Sequence, residues 1–187
     1  LIDKSLPGDA TIGILPFFHI YGMVVILCMV LRKGATVVTM PQFDLETYLR
    51  LNQDYKCKTA YLVPPIALAL AKHPMVDQFK LSLEAITSGA APLGADLEAA
   101  VEKRTGAMMK QGYGMTETAG YVTALDWRDP PQVRATQIGD PLPGVELRIV
   151  DGEGRMEDLE LIESLAGRMV GRVLCALADT GVLPVTS

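Results

Sequence analysis

Apolar positions in this chain come in short blocks whose spacing alternates between that of a strand and that of a helix. The first block, residues 12–31 (IGILPFFHIYGMVVILCMVL), contains no Asp, Glu, Lys or Arg. About 20 apolar residues in a helix would span a bilayer. Pro16, His19 and Gly22 interrupt this run, however, and a mid-helix proline removes a hydrogen bond and clashes with the preceding turn. The block divides more naturally into three. TIGILPFF reads as a short, fully apolar strand of the buried parallel type, and HIYG as a loop. MVVILCMVLRKG reads as a buried helix closed by Arg32, Lys33 and Gly34. No stable membrane span is expected.

The alternation continues downstream. ATVVTM predicts a strand, and Asp44 then caps the helix LETYLRLNQDY, whose Leu45, Tyr48 and Leu49 share one face. TAYLVP predicts a strand and PPIALALAKH a helix opened by proline. LEAITSG predicts a strand, LGADLEAAVEKRTG a helix ending at Gly106, and AMMKQGYG a strand running into a loop. Strands alternating with helices of roughly ten residues imply an α/β fold, with a predominantly parallel sheet and flanking helices. Such sheets bind ligands beyond the carboxyl ends of their strands, which is where FHIYG, TSGAAPLG and GYGMTET fall. Past residue 151 the pattern changes. GRMEDLELIESLAGRMVGRVLCALADTG predicts an amphipathic helix with Leu159, Ile162, Met169, Val173 and Leu177 on one side and Glu160, Glu163 and Arg172 elsewhere.

Composition narrows the function. The 187 residues carry a net charge of -5, with no basic run, so a nucleic-acid surface is not expected. Cys28, Cys57 and Cys175 lie far apart in apolar surroundings, which suggests reduced core thiols and a cytoplasmic protein. The opening LIDKSLPGDA has no initiator Met, basic run or apolar leader segment, and reads as an internal piece of a longer protein. Met23 and Met29 are expected to fill core, and His73 to lie on the surface at a helix end. Oligomeric state is not legible.

The three loops suggest a flat, phosphorylated ligand. In TSGAAPLG, Gly89, Ala90 and Ala91 are nearly bare backbone, against which a planar group can lie, and Pro92 stiffens the turn; a plain strand-to-helix connection is the alternative. In QGYGMTET, Tyr113 stands between Gly112 and Gly114 and can offer its ring to a base, a contact worth roughly 1–3 kcal/mol in stacking systems. Thr116 adds a hydroxyl, and Glu117 a carboxylate suited to hold magnesium against phosphate. The alternative here is a helix start capped by Thr116. A lone histidine such as His19 in an apolar run would ordinarily be structural.

In this order and at these separations, LPFFHIYG, TSGAAPLG and QGYGMTET resemble the adenylate-forming superfamily, in particular 4-coumarate–CoA ligases, acyl-CoA synthetases and beetle luciferases. The similarity runs from about Asp9 to Asp151 and includes GDPLPGVELRIVD. It implies that residues 1–151 are part of an AMP-binding domain and that 152–187 are a divergent, helical tail. It also implies a two-step reaction. A carboxylic acid attacks the α-phosphate of ATP to give an acyl-adenylate and pyrophosphate, and coenzyme A then displaces AMP to give a thioester.

By the matching motif positions, Gly89, Ala90, Ala91 and Pro92 would line one face of the adenine, and Gly112, Tyr113 and Gly114 the other. Thr116 would contact the α-phosphate, Glu117 would help hold Mg2+, and His19 would stand between the acid and the phosphate. Tyr21, Ala90, Gly120, Tyr121 and Val122 would wall the acid's pocket. Amino-acid-activating relatives pair an Asp with the substrate ammonium near this strand end. Phe17, Phe18, Ile20, Tyr21 and Gly22 offer no such carboxylate, so an ammonium there would be unpaired and costly. The implied acid is uncharged, aromatic or fatty. The family's phosphate loop and the catalytic lysine of its C-terminal domain have no counterpart here. The chain alone is expected to be inactive, either as an incomplete ligase or as a silent nucleotide-binding module of the same descent.

Overall fold

The first apolar block folds as a strand, a turn and a helix, divided further upstream than the pattern predicts. In the computed structural model, which describes residues 4–146, strand β1 (Ala10–Gly13) is fully buried. It pairs in parallel with β2 (Thr36–Thr39), Ala10 opposite Thr36 and Gly13 opposite Thr39. The strand stops at Gly13, short of the predicted Phe18. The following helix also starts early: Tyr21–Cys28 forms a π-helix that runs directly into α1 (Met29–Arg32).

Two local interactions account for the early start. The Met23 N–H donates to the His19 carbonyl at 2.9 Å, so helical winding already begins in the predicted loop HIYG. Gly22 packs so tightly on the preceding turn that a Cβ there would lie 2.2 Å from the Pro16 carbonyl oxygen. Gly34, at φ +72°, ends the segment. No helix among the described residues is long and apolar enough to cross a membrane.

Strands β3 (Thr59–Leu62), β4 (Ala85–Ser88) and β5 (Met108–Met115) continue in parallel. They alternate with α2 (Leu45–Asp54), α3 (Pro64–Lys72) and α4 (Ala95–Thr105). The local signals act as their chemistry dictates. The Asp44 carboxylate accepts the Thr47 N–H at 2.8 Å and caps α2, while Gly106 adopts φ +73° and closes α4. The Thr11 hydroxyl donates to the Thr59 carbonyl at 2.8 Å, tying β1 to β3.

The loop predicted after Gly114 is a tight turn that begins one residue later. β5 continues to Met115, where a hairpin returns it as β6 (Gly120–Ala124), antiparallel and with a register shift between Tyr113 and Gly114. Thr116 therefore caps no helix; it lies in the hairpin turn. A short helix α5 (Pro131–Thr136) and strand β7 (Asp140–Pro141) complete this edge. Parallel pairing predominates, and the antiparallel hairpin is added at one side.

The core lies between the parallel strands and α2, α3 and α4, around Tyr48, Leu49, Leu62, Leu70, Ile86, Val101 and Met109. Each such buried side chain contributes roughly 1.5–3 kcal/mol relative to exposure. A second cluster, with Tyr21, Val25, Ile26, Val30 and Tyr61, seats the π-helix on the sheet.

Several assignments need correction. Met23 is exposed rather than core, whereas Met29 packs at the core edge. Cys57 is buried but Cys28 is exposed, because it falls on the outward side of the π-helix. His73 is exposed at the end of α3, as expected. Cys175 and the predicted tail helix lie outside the described residues. All but the last of the described residues belong to one unit, Leu1–Val145.

Candidate active site

Two hollows open at the carboxyl ends of β4 and β5 and share a thin wall. The inner one, about 50 Å³, is lined by His19, Ile20, Tyr21, Val25, Gly89, Ala90, Gly112, Gly114, Gly120 and Tyr121. The outer one, about 260 Å³, is lined by Ala90, Ala91, Pro92, Gln111, Gly112, Tyr113, Gly114 and Ile138. Ala90, Gly112 and Gly114 face both.

The wall is thin because nothing larger fits. A Cβ on Gly112 would lie 2.5 Å from the Tyr121 ring, and one on Gly114 2.1 Å from the Gly120 carbonyl oxygen. The hairpin itself therefore demands these glycines, beyond any need of a ligand. Ala90 sits at φ +71°, a left-handed conformation that costs a non-glycine residue about 1–2 kcal/mol. Strain of this kind collects at functional sites.

Tyr21 forms the floor of the inner hollow. Its hydroxyl lies 3.1 Å from the Thr87 carbonyl and 3.3 Å from that of Leu62, at the ends of β4 and β3. Burial, with Tyr121 and Tyr61 nearby, holds its pKa well above the ordinary tyrosine value, so it remains a neutral donor. The Nδ1 of His19 accepts the Tyr21 backbone N–H at 3.1 Å. In the neutral imidazole the proton therefore sits on Nε2, the nitrogen left available to an incoming oxygen.

The predicted residues divide accordingly. His19, Tyr21, Gly89, Gly120 and Tyr121 meet at the inner hollow, and Ala91, Pro92 and Tyr113 at the outer one. Thr116 and Glu117 do not line either; both are exposed in the hairpin turn. That turn is held by Thr118, whose Oγ1 accepts the Met115 N–H at 3.1 Å and lies 3.0 Å from the Gly120 carbonyl. Val122 is buried but is not part of the wall, since strand alternation turns it away from the face that carries Tyr121.

Sequence reasoning missed Ile20, Val25, Gln111 and Ile138. Gln111 was visible inside QGYG. Ile138 arrives by way of β6 and α5, which no local pattern announced. No group of three or more His, Cys, Asp or Glu among the described residues could hold a metal.

The profile described as AMP-binding enzyme matches residues 2–160. The chain belongs to the AMP-binding enzyme family. It is 45% identical over 150 residues to 4-coumarate–CoA ligase 1 of Petroselinum crispum, covering 78% of this chain and 27% of that protein. Likewise it is 43% identical over 148 residues to 4-coumarate–CoA ligase 2 of Nicotiana tabacum, covering 76% and 27%. The chain thus spans little more than a quarter of the length of these relatives. Among solved structures, ATP-bound MatB from Rhodopseudomonas palustris superposes with a TM-score of 0.67 at 27% identity, over 79% of this chain and 29% of that one. Amide bond synthetase McbA from Marinactinospora thermotolerans gives a TM-score of 0.68 at 29% identity, over 83% and 31%.

A second profile, described as NADH-ubiquinone oxidoreductase-F iron-sulfur binding region, matches residues 144–187. Iron–sulfur clusters are commonly held by four cysteine thiolates. Within those residues the sequence offers one, Cys175, so this stretch alone does not furnish a cluster site.

Proposed function

We propose that the protein to which this chain belongs joins an uncharged aromatic or fatty carboxylic acid to AMP at the expense of ATP, then transfers the acyl group to coenzyme A. The supporting observation is the pair of hollows meeting at Ala90, Gly112 and Gly114. In this reading the outer hollow takes the adenine, between Ala90–Pro92 and Tyr113. The inner hollow takes the acid, whose carboxylate meets the α-phosphate at the shared wall. His19 Nε2–H donates to oxygens there as charge builds on the phosphoryl group, the kind of fixed donor that stabilises such a transition state. Thr116 and Glu117, on the adjoining hairpin turn, face the phosphates. Glu117 would hold magnesium, which would neutralise charge on the departing pyrophosphate.

The inner walls carry no carboxylate, which favours an acid without an ammonium group. A cytoplasmic location belongs to the same reading, since ATP and coenzyme A are intracellular metabolites. Residues 1–151 are read as part of the AMP-binding domain and 152–187 as a separate tail.

The test is ATP–pyrophosphate exchange by the full-length parent across a panel of aromatic and fatty acids. His19→Ala and Glu117→Ala should each depress exchange by roughly 100-fold or more, the scale of a lost transition-state donor. Near-normal rates would remove both from the site. The 187-residue chain alone should bind AMP without turnover, and pyrophosphate exchange by it would refute the reading of an incomplete enzyme.

A further inference from the structure

Outside the lining of the outer hollow lies a buried carboxylate. Glu98 of α4 is 3% exposed. Its Oε2 accepts from Gln111 Nε2 at 3.4 Å. The same Gln111 amide accepts the Leu93 N–H through Oε1 at 2.8 Å and donates to the Leu93 carbonyl through Nε2 at 3.1 Å. Gln111 thus pairs with Leu93 as a neighbouring strand would, tying the loop after β4 to β5 immediately before Gly112. The tied segments lead straight into the two facing walls of the outer hollow, Ala90–Pro92 and Gly112–Gly114.

When ionised, the Glu98 carboxylate only accepts, and so selects the NH2 side of the amide over the reversed rotamer. One turn along the same helix face, Glu102 accepts the Met109 N–H at 2.6 Å and pairs with Arg134 at 3.0 Å. α4 therefore grips β5 at two heights, and the upper grip acts on the site.

We propose that Glu98 is a positioning residue: by holding the Gln111 amide it sets the gap between the two walls that receive the adenine. The proposal rests on the AMP-binding reading above. Glu98 itself touches no substrate in this arrangement.

The experiment compares Glu98→Leu and Glu98→Gln in the 187-residue chain. AMP affinity is measured by calorimetry, hydrogen exchange at the Leu93 amide by NMR, and folding by thermal melting. Leucine removes the acceptor and keeps most of the volume. It should weaken AMP binding roughly five- to tenfold, the equivalent of one hydrogen bond, and speed Leu93 exchange by a similar factor. Glutamine still presents an oxygen to Gln111 and should restore both to within about twofold.

If Glu98→Leu does not fold, Glu98→Ala takes its place in the comparison. A folded Glu98→Leu with unchanged affinity and exchange overturns the proposal. So does equal weakening in both variants, which would make charge rather than the amide the active feature. If the wild-type chain does not bind AMP, the nucleotide reading fails, whatever Glu98 does to the Gln111 amide. That outcome is recognisable because Leu93 exchange would still separate the two variants.

Discussion

Replacing Glu98 by neutral glutamine should make this chain more stable at neutral and alkaline pH and no different below the ordinary carboxyl value of 4.5. Burial pushes the Glu98 carboxyl up from the ordinary 4.5 to about 7, Glu102 adds to the rise, and the Gln111 hydrogen bond and Arg134 oppose it. The folded state therefore holds the proton more tightly than the unfolded chain does. Stability from this group is complete below the unfolded value and is lost as pH rises through about 7. The displacement corresponds to roughly 3 kcal/mol, a large share of the 5–15 kcal/mol typical of a domain.

The assay is urea unfolding of wild type and Glu98→Gln from about pH 3.5 to about pH 8, a window that spans both values. The variants should coincide at the acid end, below the unfolded carboxyl's 4.5, and Glu98→Gln should lead by up to about 3 kcal/mol at about pH 8. Asp44 and Asp126, whose carboxyls are held below their ordinary value by Thr47 and Arg128 respectively, act in the opposite sense and at lower pH. They cancel in the difference between variants in any case. A difference that stays flat across the window would show that Glu98 is not paying for its charge in a buried site, and the reasoning would fail.

Other outcomes follow from the same structure. Iodoacetamide should modify exposed Cys28 in the native chain and spare Cys57, whose thiol burial pushes up to about 12; peptide mass spectrometry reads the ratio. Gly114→Ala forces a Cβ against the Gly120 carbonyl oxygen, and should cost about 1–3 kcal/mol of stability as the hairpin shifts, seen as a lower melting midpoint. Ala90→Val places a β-branched residue at φ +71° and should abolish measurable AMP binding in calorimetry while lowering the midpoint; retention of both would remove Ala90 from the shared wall.

The parallel part of the fold was legible because each of its elements carries its own local signal. Asp44 caps α2, proline opens α3 and Gly106 closes α4, and β1, β3 and β4 are buried along their whole length. The π-helix was misread because Pro16 and Gly22 are breakers in isolation. Here they form a packed turn on which the helix rests, and no sequence period reports that contact. The hairpin after Gly114 was hidden for a different reason. Its register is set by Thr118 bonding back to Met115 and by a bulge at Tyr113 and Gly114, while Thr116 offered an equally good helix cap. The site inherited both errors: its motif loops were visible, but Ile138 and the aim of Val122 depend on β6.

The wall of Ala90, Gly112 and Gly114 also limits how such a pocket diversifies. A wall already pressed by the Tyr121 ring and the hairpin backbone cannot be enlarged to suit one hollow without intruding on the other. On the reading proposed above, adaptation to a new acid would act away from that wall, at Ile20 and Val25, and leave the outer hollow untouched.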